Sequence, residues 1–173
     1  KNNFHLFFVY GPEIQTVRSE AFQNCMCLKR FISQCETIEY SAFYKCASLS
    51  EVNLTKLIQL GEYSFAKCKG LVNVNVGKLD TLPQHCFSKC KCLKQVVGLN
   101  LKHIFGFAFN EVPQKVNVVS NNILPVQTQF KQEKQTRFQE ILIDEFSERK
   151  NMIKKLKIKQ VQVQMVTYYL KML

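Results

Sequence analysis

The sequence predicts a solenoid of stacked coils, about 22 residues each, followed by a helical segment. A phenylalanine recurs at intervals of 21, 22, 22 and 22 residues, and its positions are Phe22, Phe43, Phe65, Phe87 and Phe109. A cysteine follows three residues after each of the first four, and a leucine follows three residues after each cysteine. A fixed period of this length is typical of repeat proteins whose units pack only against their neighbours.

The first element of a coil is a strand, and the coil that contains Phe43 illustrates it. Residues 49–54 alternate apolar and polar side chains towards their end, which is strand spacing. Val52 is therefore predicted to face the core, whereas Glu51 and Asn53 are predicted to face outward. The same alternation recurs one period earlier and later along the chain.

The rest of a coil is predicted to be a second short extended stretch and a turn. Leu57 and Leu60 belong to the extended stretch, and residues 63–68 form a tight turn or a helical turn. That turn places Phe65 and Cys68 inside. One coil cannot close a core by itself, so we expect each strand to pair with the next at about 4.8 Å and each phenylalanine to lie on the next.

The solenoid is predicted to span residues 1–120. It contains a partial first coil, four complete coils and a degenerate last coil. In that last coil Val112 stands where earlier coils have cysteine, and Lys115 stands where they have leucine. This loss of the pattern indicates that the array ends there.

A different pattern follows the array. Residues 121–127 contain two asparagines and Pro125, which predict a break. Residues 128–173 predict an α-helical segment, because apolar residues recur mostly three or four positions apart. These residues are Phe130, Phe138, Ile141, Leu142, Phe146, Met152, Ile153 and Leu156. Residues 158–166 fit helix or strand spacing, and the lack of a turn signal favours helix. We expect the segment to cap the last coil.

The composition is that of a folded chain, with 46% hydrophobic and 21% charged residues. No apolar run approaches the ~20 residues that span a bilayer. Four of the eight cysteines share one column of the repeat. Such a column is a stack rather than a set of pairs, so we expect buried free thiols. Reduced cysteines favour an intracellular location.

The sequence predicts no metal site, no cofactor and no catalytic site. The two C-x-C pairs, at residues 25–27 and 90–92, lie three coils apart, about 14 Å, which is too far to share one zinc ion. His5, His85 and His103 occupy different columns, and no nucleophile repeats beside them. A column cysteine would lack the exposure and lowered pKa that a nucleophile needs.

The outward positions of the main strands are the candidate partner site, because solenoid proteins bind partners on their regular curved face. The residues of this strand face are Arg30, Ile32, Glu51, Asn53, Asn73, Asn75, Gln95 and Val97. A solvated surface with no partner is the other interpretation of these positions.

A basic stretch in the tail provides an alternative function. It carries six positive charges and no acid, in a chain of net charge +11, at Arg149, Lys150, Lys154, Lys155, Lys157 and Lys159. A basic amphipathic helix binds anionic membranes or nucleic acid, so the chain would be an adaptor. The stretch lacks aromatic residues that stack on bases, and a solvated helix face explains it equally simply.

The repeat consists of an aliphatic residue, three variable residues, Ala-Phe, two residues, Cys, two residues, Leu, two residues and Val. In the second complete coil these residues are Ile38, Ala42, Phe43, Cys46, Leu49 and Val52. The pattern, which covers residues 4–120, closely resembles the BspA-like leucine-rich repeats of bacterial and protist proteins. The resemblance implies a right-handed leucine-rich-repeat solenoid of the α/β repeat type, with short parallel strands and turns or helical turns. It also implies a non-catalytic protein–protein interaction role, often at cell surfaces.

Overall fold

The computed structural model describes residues 1–125 and 128–133. These residues form twelve short strands joined by turns. The strands are β1 Phe8–Gly11, β2 Thr16–Val17, β3 Arg30–Ser33, β4 Thr37–Ile38, β5 Glu51–Val52, β6 Gln59–Leu60, β7 Asn73–Asn75, β8 Thr81–Leu82, β9 Gln95–Val97, β10 His103–Ile104, β11 Val116–Val119 and β12 Phe130–Glu133.

Every strand pair is parallel, as expected when equivalent strands of successive coils stack. The main strands form two sheets, one of order β1-β3-β5 and one of order β12-β11-β9-β7. The short strands form two more sheets, β2-β4-β6 and β10-β8. The register advances by one repeat per coil, so that Asn73 pairs with Gln95 and Gln95 with Asn117. The predicted repeat solenoid of parallel strands is therefore confirmed.

The centre of the core is a column of stacked phenylalanine rings. The ring centroids of Phe43 and Phe65 lie 5.1 Å apart with planes only 3° from parallel. Phe87 continues the column at 5.7 Å from Phe65, and Phe109 follows at 6.1 Å from Phe87. All four of these side chains are at most 2% exposed. The prediction that each ring lies on the next is confirmed.

The turn around each phenylalanine adds a third hydrogen-bonded ladder between coils. The amide of Phe43 donates to the carbonyl of Ser64 at 2.8 Å, and that of Phe65 donates to the carbonyl of Cys86 at 2.9 Å. Residues two before and two after each phenylalanine adopt left-handed φ values of 50–63°. Backbone polar groups of the turn therefore point along the solenoid axis, where the next coil satisfies them.

The column cysteines complete the hydrogen bonding of this buried turn. The Cys68 thiol donates to the carbonyl oxygen of Phe43 at 3.1 Å, and the Cys90 thiol donates to that of Phe65 at 3.1 Å. Both carbonyls also accept the amide of the cysteine in their own coil. A carbonyl oxygen has two lone pairs, so the thiol occupies an acceptor position that a buried apolar residue would leave empty. This bond explains why the position is cysteine.

Both kinds of sheet are interrupted in the middle of the array. Pairing stops between β5 and β7 among the main strands and between β6 and β8 among the short strands. Pro83 explains the second interruption. The equivalent residues Gly61 and Phe105 each donate an amide to the preceding coil, at 2.7 and 2.9 Å. Proline has no N–H to donate, so the carbonyl of Leu60 loses this partner.

The helix predicted over residues 128–173 is wrong for the part that the structure describes. Phe130–Glu133 is a strand, and it extends the sheet beyond residue 120 by pairing with β11. The ring of Phe130 packs edge-on against Phe109 at 6.2 Å, and the amide of Phe109 donates to the Gln129 side chain at 3.3 Å. These contacts supply apolar cover and an acceptor that a further coil would otherwise provide. The rest of the predicted helix and its capping role lie outside the described residues.

Turns, rather than helical turns, connect the strands in residues 1–125. The α/β character predicted for the repeat is therefore replaced, over the described residues, by strands and turns alone. The same part of the chain contains no helix with the length and hydrophobicity needed to cross a membrane.

We predict that Phe65→Ala lowers the free energy of unfolding by about 3–5 kcal/mol, because it empties a fully buried site between two rings. Phe105→Ala is the control, since that ring is 53% exposed, and it should cost less than about 0.5 kcal/mol. Equilibrium denaturant unfolding measures both. Equal small losses for the two variants would contradict the stacked core.

We predict that Phe130→Ala lowers the free energy of unfolding by about 2–3 kcal/mol, less than Phe65→Ala because Phe130 lies at the end of the column. The same variant should accelerate hydrogen exchange of amides in β11, which pairs with β12. Unchanged stability together with unchanged exchange in β11 would show that residues 128–133 do not close the array.

Candidate functional site

The predicted strand-face residues lie mostly where the alternation placed them. Arg30, Glu51, Asn73 and Asn75 are exposed, while their neighbours Phe31 and Val74 are buried in the core. Three others, Ile32, Asn53 and Gln95, are partly buried. These seven positions share the outer surface of the main sheets.

Val97 does not belong to the accessible part of this face. It was predicted as a partner-binding residue, but its side chain is only 9% exposed. Val119, its partner in the register of β9 and β11, is similarly buried at 8%. Sequence alternation indicates the side of the sheet on which a residue lies, but it does not indicate whether that side is covered.

Asn53 and Asn75 have a local structural role. The Asn53 side-chain oxygen accepts the amide of Thr55 at 3.1 Å and its hydroxyl at 2.8 Å. The Asn75 oxygen accepts the amide of Gly77 at 3.0 Å. Gly77 has φ of +59°, and a side chain there would collide with the carbonyl oxygen of Leu54. Both asparagines therefore hold the turn that ends their strand, as asparagine commonly does.

The strand face divides into two patches, because pairing stops between β5 and β7. In the first patch, Arg30 and Glu51 form a two-bond ion pair at 2.7 and 3.3 Å. The Arg30 guanidinium also lies 5.5 Å from the centre of the Phe8 ring. The second patch contains the polar side chains of β7, β9 and β11. The face is therefore not one continuous ladder.

Two aromatic residues, Phe8 and Tyr10, continue the outward columns of the strand face into the partial first coil and extend the first patch. Phe8 is 48% exposed and Tyr10 is 68% exposed. They lie in β1, in register with Arg30 and Ile32. They stand twenty-two residues before those two site residues, so the repeat period alone places them in the same outward columns.

The turns present a second surface, which the sequence prediction missed. Tyr63, His85 and Phe107 stack in a row, with ring centroids 4.7 and 5.5 Å apart. All three occupy the left-handed position two residues before a core phenylalanine. Lys67 and Lys89, each two residues after a core phenylalanine, lie in the same turns as these rings and line one groove with Tyr63 and His85. We call the lysines at this position the lysine row. The column of aromatic residues, read one period apart, was visible in the sequence.

The column cysteines Cys25, Cys46, Cys68 and Cys90 are buried in the core. Burial raises the pKa of Cys46 and of Cys90 to about 12, and it raises those of Cys68 and Cys86 well above the ordinary value. All eight cysteines are free thiols. Residues 1–125 and 128–133 contain no group of three or more His, Cys, Asp or Glu side chains arranged to hold a metal ion.

The alternative site lies outside the described residues. The basic stretch at positions 149–159 was predicted to contact membrane or nucleic acid, and none of its six charged residues belongs to residues 1–125 or 128–133. The candidate surfaces on the described part of the chain are therefore the strand face and the turn surface.

Comparisons with known proteins identify the same repeat in this chain. A family model described as the BspA type leucine rich repeat region, in six copies, matches residues 15–137. The crystal structure of a leucine-rich repeat protein from Bacteroides ovatus ATCC 8483 aligns with a TM-score of 0.55 and 26% identity. That alignment covers 65% of this chain and 32% of the other, so this chain spans about a third of that protein. No curated protein matches the sequence.

We predict that thiol labelling separates the cysteines into two classes at neutral pH. Cys46, Cys68 and Cys90 should react slowly in the native protein, because burial excludes the reagent and disfavours the thiolate. Cys92 is exposed and provides the internal control. Labelling followed by peptide mass spectrometry measures each rate, and all sites should react after unfolding. Rapid native labelling of Cys68, or a disulfide among the column cysteines, would contradict this arrangement.

Proposed function

Because the chain belongs to the BspA-type leucine-rich repeat family, whose members are generally protein-interaction scaffolds, we propose that it is a non-catalytic scaffold. It binds a protein partner through the strand face. The partner docks first on the patch formed by β1, β3 and β5, at the end of the array that contains Phe8 and Tyr10.

The observation that carries this proposal is the exposure of two aromatic side chains beside an arginine on a regular sheet surface. Tyr10 is 68% exposed and Phe8 is 48% exposed. In the parallel register Phe8 pairs with Arg30, and Tyr10 pairs with Ile32 on the same strands. Tyrosine and arginine are enriched among residues that dominate binding energy at protein interfaces. The core side chains of the same strands lie on the other face, so a partner can cover these residues without disturbing the stack.

The polar side chains of the strand face are suited to determining which partner binds. Glu51 holds the Arg30 guanidinium in a fixed orientation through two hydrogen bonds. An exposed ion pair of this kind contributes at most about 1 kcal/mol to folding. Its fixed geometry would instead let a partner recognise one arrangement of charge, since charged rims affect specificity and association rate more than affinity.

The non-catalytic part of the proposal rests on the chemistry of the described residues. The column cysteines are buried, and their pKa values are raised, so they are poor nucleophiles. The His85 ring is stacked between two aromatic rings, and the buried thiols donate to backbone carbonyls. These groups have structural roles that account for their presence without a reaction.

We predict that Tyr10→Lys with Asn73→Lys, one change in each patch of the strand face, abolishes partner binding while leaving the fold intact. Neither side chain is buried, and surface substitutions usually change stability by less than about 0.5 kcal/mol. Asn53 and Asn75 are unsuitable for this test, because their turn hydrogen bonds would be lost as well. Partners are captured from the native source with the intact protein, and wild type and variant are compared by quantitative mass spectrometry.

The matched control is Gln84→Lys with Phe105→Lys. It also replaces one exposed amide and one exposed aromatic residue with lysine, but away from the main sheets. We expect the control to retain the proteins that the strand-face variant loses. If the control loses them and the strand-face variant retains them, the partner binds the turn side and the proposed surface is wrong.

A further inference from the structure

We propose that the turn surface carries a second docking site, which binds an extended acidic segment of another protein. The site is a groove of about 220 Å³ that runs across the turns of four successive coils. We call it the basic groove. Its lining includes Tyr44, Tyr63, Lys67, His85, Lys89 and Glu111.

The basic groove exists because small residues separate two rows of large ones. Its floor is Ala66 and Ser88, which are 2% and 5% exposed. The stacked rings of Tyr63 and His85 form one wall. Lys67 and Lys89, two residues after successive core phenylalanines, form the other wall. The left-handed backbone flanking each phenylalanine projects both rows from the turn.

Lys67 is the strongest indication of an anionic ligand. Its ammonium group is partly buried and donates to the Tyr44 hydroxyl at 2.7 Å. It also lies 4.9 Å from the centre of the Tyr44 ring. Among the described residues it has no carboxylate partner within salt-bridge distance. Partial burial of an ammonium group is costly without an opposite charge, and the phenol satisfies only one of its three donors.

The lysine row concentrates positive charge further. Lys45, Lys67 and Lys89 stack at equivalent positions of successive coils, about 4.8 Å from coil to coil. Like charges directly opposite each other are destabilising. The row is neutralised at one end, where Lys89 and Glu111 pair at 3.0 Å. The ammonium groups of Lys45 and Lys67 lie 5.5 and 4.9 Å from the centre of the same Tyr44 ring, so positive charge from two coils converges there for an acidic ligand.

The aromatic wall favours a carboxylate ligand over nucleic acid. The faces of Tyr63 and His85 are in contact with each other, and the other face of His85 covers Phe107. A base that stacks on an aromatic residue needs an open ring face. The ring edges, which line the groove instead, carry partial positive charge. An extended peptide presents alternate side chains to one side, about 6.5–7 Å apart, and flexible lysine stems can follow that spacing.

The test uses the whole chain and a fluorescent peptide of alternating glutamate and serine, about twelve residues long, which places its carboxylates on one side when extended. Fluorescence anisotropy measures binding at about 150 mM salt, an ionic strength that screens the attraction between the peptide and distant lysines. We expect Lys67→Ala with Lys89→Ala to weaken binding by about tenfold or more. Lys67→Arg with Lys89→Arg should retain it to within about threefold, because both charges remain.

The matched control is Lys78→Ala with Lys102→Ala, which removes the same charge from exposed positions outside the basic groove. It should weaken binding by less than about twofold at this ionic strength. If the groove pair unfolds, Lys67→Gln alone keeps most of the stem and tests the central charge. Equal losses for groove and control pairs, or no loss for the groove variants, would overturn the proposal.

Two further probes examine the ligand class. Single-stranded oligothymidylate and phosphatidylserine vesicles are titrated against the same variants. Tighter binding of either probe, lost selectively in the groove pair, would overturn the assignment of an acidic polypeptide. The strand-face variant Tyr10→Lys with Asn73→Lys should bind the peptide like wild type, which keeps the result independent of the function proposed above.

Discussion

The stack of phenylalanine rings is the constraint on which the rest of the structure depends. Neighbouring rings from Phe22 to Phe109 are separated by 5.1–6.1 Å, and each lies within 11° of parallel. Parallel strands of successive coils pair at about the same interval. Ring stacking and strand pairing are compatible only if every coil advances along the solenoid axis by the same distance. The near-constant period of the sequence is the consequence of this geometric requirement.

Each stacked turn also needs hydrogen-bond partners for the N–H and C=O groups of its own buried backbone, and this requirement constrains the whole repeat. Left-handed residues on both sides of each phenylalanine orient N–H and C=O groups along the axis, where the next coil pairs with them. The column thiols of Cys46, Cys68 and Cys90 donate to the phenylalanine carbonyl of the preceding coil. An unsatisfied buried polar group costs about 1–3 kcal/mol. Oxidation of these thiols would remove three such donors from the core.

The same geometry separates two surfaces with different chemistry. Strand alternation places Tyr10, Arg30 and Glu51 on the outside of the main sheets, where a folded partner can cover them. The left-handed turn positions carry Tyr63, Lys67 and His85 on the basic groove. Residues on either surface contribute little to the stack, so both can vary while the core repeats. Under the two proposals made above, each surface would hold its own partner.

The sequence by itself determined the repeat period, the core columns and the outward direction of residues such as Glu51 and Asn73. It could do so because those features repeat, and the side chains of every coil have to meet the same packing requirement. It also contained Pro83, whose missing N–H interrupts the short-strand sheets, and the aromatic column of the turns, although neither was used in the prediction.

Only the tertiary structure decided the features that depend on stacked neighbours. The burial of Val97, the turn-holding bonds of Asn53 and the strand at Phe130–Glu133 are of this kind. Phe130 fitted a helical spacing in sequence, but in the structure it lies against Phe109, while Gln129 accepts the Phe109 amide. The exposed ring and unpaired amide at the end of a stack exist only after the coils have assembled, so local periodicity could not predict what covers them.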